Sequence, residues 1–170
     1  MSELTTTVNL STRMDPERSI VLYSYMVNSS SNRVCERMVR GALISDGRQV
    51  LFSRGEGEEF NCTGYPVEIL TWEVIQFPPG TFVQQVTAQL TDTSASVSLP
   101  KEVDPSRTLV LAGGQWASGQ VHGEGRFYFE ELQSEMRAQA FLSDPKHVKL
   151  VRETAYTPAT FTVFVIQLKP

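Results

Sequence analysis

The sequence is poor in most of the residues that carry chemistry. Two histidines and two cysteines are spread over 170 residues, and charged side chains make up only 20%. Acid–base catalysis near neutral pH usually draws on histidine, so His122 and His147 are the only ready candidates. No nucleophile motif of the G-x-S-x-G type accompanies them. His147 follows the Asp144-Pro145 turn and reads as a surface turn residue. His122 stands near Glu124, which could orient it, within a polar glycine-containing stretch. The chain is therefore expected not to be an enzyme. Cys35 and Cys62, in polar surroundings and outside any CxxC pair, make no metal site; they read as free thiols, with a bridge between their loops as the alternative under oxidising conditions. The acidic loop Gly55-Glu56-Gly57-Glu58-Glu59-Phe60-Asn61 lacks EF-hand spacing, and the glycines at 113, 114, 123 and 125 lack the Lys-Ser/Thr of a phosphate loop. No metal and no cofactor is expected.

Basic excess is missing as well. The formal net charge is -4, which argues against a nucleic-acid partner. No run approaches the roughly 18 apolar residues of a membrane span, and the first residues lack the charged start and apolar stretch of a secretory signal. Synthesis is expected to end in the cytoplasm, without membrane insertion.

What the sequence does contain is itself, twice. Val8-Asn9-Leu10 and Met14-Asp15-Pro16-Glu17-Arg18-Ser19-Ile20-Val21-Leu22 return 89 positions later as Val97-Ser98-Leu99 and Val103-Asp104-Pro105-Ser106-Arg107-Thr108-Leu109-Val110-Leu111. Met38 to Arg54 returns as Met136 to Arg152 at an offset of 98, and Leu70 to Phe77 as Phe161 to Leu168 at an offset of 91. Blocks that keep their internal spacing while the connections change length describe a strand framework with variable loops. The blocks are rich in β-branched and aromatic residues, alternate apolar with polar, and are bounded by turn residues. The expected fold is all-β, two tandem antiparallel β-sandwich repeats at 1–80 and 94–170, joined by a strand within 81–93. In that joining strand Phe82, Val86, Ala88 and Leu90 are expected on one face, with glutamines and threonine opposite.

Two turns are expected to differ. Asp46-Gly47 suits a type I′ hairpin, which needs positive φ at both central positions. Its counterpart Asp144-Pro145 cannot take that turn, because proline fixes φ near −65°, and a type I turn with Pro145 at its first central position is expected instead. A short helical turn is expected from Glu130 to Ser134, leading into a strand with Met136, Ala138, Ala140 and Leu142 on one face.

The succession of a "DP-x-R-[ST]-[IL]-V-L" strand, a central hairpin and a closing strand such as Trp72-Glu73-Val74-Ile75-Gln76-Phe77 resembles the lectin-like β-sandwich repeats of phage and bacterial surface proteins, similar in outline to H-type lectins. The resemblance runs from Val8 to Leu168 and rests on framework strands. It implies a homotrimer and a structural or accessory place on a phage virion, as a capsid decoration or a tail or collar protein, with other virion proteins as partners. A carbohydrate-binding adhesin for surface glycans is the alternative. The contact candidates are Trp116, with Gln115 and His122 beside it in a polar stretch read as loop, and Tyr23 and Tyr25, which leave their strand on one face. Trp72 alternates with Leu70 and Val74 and is expected in the core.

Overall fold

The same short device starts the main strand of each half. Asp15 and Asp104 each accept a hydrogen bond on Oδ1 from the backbone two residues on (both 3.0 Å), and each is followed by proline at the start of a single 3₁₀ turn, Pro16–Arg18 or Pro105–Arg107. The arginine that ends the turn folds back on the same aspartate, Nε to Oδ2 at 2.8 Å in both cases. Proline presets φ and the aspartate supplies the acceptor, so the sequence Asp-Pro-x-Arg writes the turn locally.

The computed structural model describes residues 5–27, 37–54, 67–117, 138–153, 155 and 158–170. Among them the chain is all-β and antiparallel. The strands are β1 (Thr5–Asn9), β2 (Ser19–Val27), β3 (Arg37–Leu43), β4 (Gln49–Arg54), β5 (Val67–Gln76), β6 (Phe82–Leu90), β7 (Ser94–Ser98), β8 (Thr108–Ala117), β9 (Gln139–Asp144), β10 (His147–Val151) and β11 (Ala159–Gln167). The order β1 to β5 is repeated as β7 to β11, and so is the pairing. β4 lies between β1 and β3 as β10 lies between β7 and β9, and β2 pairs with β5 as β8 pairs with β11.

Individual hydrogen bonds are repeated too. Asp15 N–H donates to Gln76 Oε1 at 2.7 Å, and Asp104 N–H to Gln167 Oε1 at 2.9 Å. Phe77 N–H donates to Arg18 O at 2.8 Å, and Leu168 N–H to Arg107 O at 2.9 Å. Met14 N–H reaches Gly47 O as Val103 N–H reaches Pro145 O. Each of these joins two of the recurring sequence blocks, and the bonds that need a particular side chain fall on a residue kept in both halves, Gln76 and Gln167.

The two halves are not side-by-side copies. β3 meets β8, Met38 opposite Trp116, so the strands of one half run into those of the other in a six-stranded order β1-β4-β3-β8-β11-β6. β11 is buried along most of its length and feeds two cores. Phe161, Val163 and Val165 join Leu90, Leu99, Val103, Val148 and Leu150 in one, while Phe164 and Ile166 join Ile20, Val21, Val39, Leu43, Val50 and Phe52 in the other. Successive residues of a strand point to opposite faces, so a strand lying between two cores must be apolar at consecutive positions. Val163-Phe164-Val165-Ile166 meets that demand, with Thr162 as a buried polar residue before it.

β6 is a strand, as its alternation suggested, but the glutamines do not share one polar face. Gln84 is buried at 4% exposure on the side of Phe82 and Val86, and Val83 enters the core of the first half from the other side. Gln84 exchanges two hydrogen bonds with the backbone of Lys101 (Nε2 to O 2.9 Å, N–H to Oε1 2.7 Å). Satisfied in this way, an amide can be buried.

The hairpin at Asp46-Gly47 is present with a different turn. Among the described residues only glycines have positive φ, and Gly47 has φ 70°, so Asp46 does not take the second positive φ of a type I′ turn. Gly47 N–H donates to Ile44 O (2.8 Å), which puts Ser45 and Asp46 at the centre of a turn and leaves Gly47 as the left-handed residue after it. A Cβ on Gly47 would lie 1.9 Å from the Met14 carbonyl oxygen. In the second half His147 pairs with Asp144 around Pro145 and Lys146, and Lys146 N–H donates to Asp144 Oδ1 at 2.7 Å. That two-residue loop has no positive φ, in keeping with proline at its first position. Ala138, Ala140 and Leu142 pack against the second core. Met136, the helical turn at Glu130 to Ser134, both cysteines and the acidic loop lie outside the described residues. No helix among the described residues is long and apolar enough to cross a membrane.

Candidate functional site

The strand junction of β3 and β8 gathers most of the sequence candidates. Trp116 and Gln115 do not sit in a loop, as the glycine-containing stretch around them suggested, but in the last turnless part of β8, with Trp116 opposite Met38 and Gln115 opposite Thr160. The glycines that made the stretch look irregular are needed for packing. A Cβ on Gly113 would lie 2.7 Å from the Tyr23 hydroxyl, and one on Gly114 would lie 2.5 Å from the Phe161 ring. Both glycines therefore let aromatic side chains approach the strand backbone. His122 lies outside the described residues.

Tyr23 crosses from β2 to this junction. Its hydroxyl donates to the Val39 carbonyl at 2.6 Å, and its ring meets Phe52 edge-on at 5.5 Å between centroids. Phe52 in turn meets the Trp72 ring edge-on at 6.2 Å, and Tyr25 stacks on Tyr23 at 6.3 Å. The result is a row of four aromatic rings, Tyr25, Tyr23, Phe52 and Trp72, packed against the first core. Burial pushes the Tyr23 phenol up to about 12. Arg40, half-buried beside it, has its pKa lowered by desolvation and donates from Nε to Ser53 Oγ at 3.3 Å. The Tyr23 hydroxyl and ring are thus both engaged inside the chain. Trp72 packs against the core as expected, half-buried.

The described carboxylates with shifted pKa values brace turns. The Arg18 guanidinium holds the Asp15 carboxyl below its ordinary value, and Ser106 with Arg107 does the same for Asp104. Asp144 is lowered by the Lys146 N–H and by His147, whose Nδ1 lies 2.9 Å from both carboxylate oxygens. Among the described residues no group of three or more His, Cys, Asp or Glu is placed to hold a metal.

A second surface was missed by sequence reading. Leu109 stands opposite Ile166, and Leu111 opposite Phe164, so all four side chains share one face of the β8–β11 pair. Ile166 and Phe164 are buried, whereas Leu109 is 54% and Leu111 40% exposed. Leu168, two residues beyond Ile166, is 40% exposed and extends the row. The signal was present, since both leucines alternate in the right phase, but it is the same signal that marks a core strand. The chain matches no protein-family model, no curated protein and no solved structure.

Proposed function

We propose that the chain is a non-enzymatic structural or accessory component of a phage virion, a capsid decoration or a tail or collar protein, acting as a multi-copy binding module. Its two H-type-lectin-like repeats assemble as a homotrimer and dock onto other virion proteins at the particle exterior. The observation that carries this reading is the exposed row of Leu109, Leu111 and Leu168 along the margin of a buried core. Leu109 and Leu111 on β8, with Leu168 just past β11, offer a contact surface for protein, and covering apolar area is worth about 25 cal/mol per Å². The virion setting and the trimer rest on the resemblance of the framework strands. The row of leucines favours protein contact over a sugar site, which is usually built from aromatic faces and convergent polar groups.

The test is the mass of the assembled state. The wild type is expected to scatter light as three times its 19.0 kDa chain, and the double variant Leu109→Lys, Leu111→Lys as the single chain with unchanged circular dichroism. A 19.0 kDa wild type at micromolar concentration overturns the assembly. Glycan-array binding that disappears in Trp116→Ala, with the mass unchanged, moves the conclusion to an adhesin.

A further inference from the structure

Among the described residues the two halves differ by one strand. In the second half β11 has β8 on one side and β6 on the other, whereas its counterpart β5 has β2 on one side and, among the described residues, no strand on the other. The direction of the backbone groups follows from one bond. Phe77 N–H donates to Arg18 O, so by the alternation of an antiparallel ladder Ile75 and Glu73 direct their N–H and C=O groups toward β2. Those of Trp72, Val74 and Gln76 point away from it. Their counterparts Val163, Val165 and Gln167 stand opposite Val86, Gln84 and Phe82 of β6.

Side-chain burial gives the same difference independently. Val163 and Val165 are 0% exposed, while Trp72 and Val74 at the matching positions remain half-buried, even though tryptophan is far larger than the valine it replaces. An edge of this kind, next to an incompletely covered apolar row, is the geometry that strand addition uses. Beside it stands the exposed carboxylate of Glu73, at the position of Phe164, which Gln85 of β6 faces in the second half.

We propose that the β5 edge takes up an extended segment of another protein, running antiparallel to β5, apolar at alternate positions as β6 is, and basic where it passes Glu73. The template for this occupant lies within the chain, in the way β6 sits on β11. The Glu73 carboxylate and the formal net charge of -4 set the sign of the charge it brings. The inference deepens the assembly reading, on which it rests, by giving the module an acceptor site separate from the leucine row.

The probe is a fluorescent peptide of residues 81–91 carrying Lys in place of Gln85, titrated into the full-length chain and followed by anisotropy. Saturable binding is expected, roughly tenfold tighter at low salt than that of the same peptide with Glu at this position. Binding should vanish when the peptide amides corresponding to Gln84 and Val86 are N-methylated, and in Val74→Pro, which removes only an outward N–H. Should Val74→Pro not fold, the methylated peptide decides alone. No saturation up to about 1 mM peptide, binding indifferent to methylation, or Trp72 and Val74 amides already protected from exchange in the chain by itself would each overturn the proposal. Protection that appears only in a self-associated form also overturns it, since the occupant is then a second copy. The mass of the assembly is read separately, so loss of the trimer and loss of peptide binding are distinguishable.

Discussion

Gln85 and Leu43 exchange two hydrogen bonds, the Leu43 N–H donating to Oε1 at 2.9 Å and Nε2 donating to the Leu43 carbonyl at 3.0 Å. The side-chain amide thereby acts as one residue of a strand would, closing the end of β3. Its neighbour Gln84 does the same for Lys101 in the other half, so two consecutive glutamines on opposite faces of β6 each hold one half. Gln85→Leu leaves both Leu43 groups without these partners and is expected to cost about 2–4 kcal/mol in urea unfolding. Gln84→Leu should cost a similar amount. With both changed the two losses should add, and because β11 belongs to both cores the transition should stay single, with coincident fluorescence and far-UV circular dichroism curves.

Tyr23 gives a prediction at high pH. An ionisable group whose folded pKa is raised contributes stability that is complete below its unfolded value, about 10, and is lost as pH rises through about 12. The loss should be on the order of 2 kcal/mol, seen as a fall in Tm between those limits. Tyr23→Phe should remove that pH dependence and cost about 1–2 kcal/mol at neutral pH, through the Val39 carbonyl it leaves behind.

At low pH the sign reverses. The Asp15 and Asp104 carboxyls are lowered in the folded chain, so their contribution is present above the ordinary carboxylate value of 3.8 and disappears as pH falls through their folded values. Asp15→Asn and Asp104→Asn are each expected to flatten the acid limb of Tm against pH, measured from pH 5 to pH 2, without moving the alkaline limb.

Gly47 and Pro145 do one job by different chemistry: each carbonyl accepts the N–H that begins the neighbouring Asp-Pro turn, from Met14 and from Val103. Gly47→Ala meets both a positive φ and the Met14 carbonyl and should cost more than about 1 kcal/mol, whereas Lys146→Ala in the second loop should change stability by less than about 0.5 kcal/mol. Thermal unfolding of the two variants side by side checks this.

The repeated framework was legible because its strands and turns are specified locally: Asp-Pro-x-Arg writes a turn and alternating apolar residues write a strand. What was illegible depends on partners far away in sequence. Gln84 looks like any polar residue of an alternating strand until Lys101 is seen to satisfy it. Gly113 and Gly114 read as loop because the demand for them comes from Tyr23 and Phe161, on other strands. Asp46 failed as a type I′ residue for the opposite reason. The dipeptide permits that turn, but the connection from Leu43 to Gln49 is longer than the two residues the turn needs. Of the contact candidates, composition located the aromatic side chains and missed the exposed leucines, whose alternation is indistinguishable from that of buried ones.

Phe164 and Ile166 complete a core whose other strands are made some eighty to one hundred and fifty positions earlier. During synthesis the earlier half therefore waits, greasy and unfinished, until β11 emerges to seal it. Folding should be slow and should engage both halves at once, and a nascent chain halted before β11 should be a substrate for chaperones rather than a half-sized folded product.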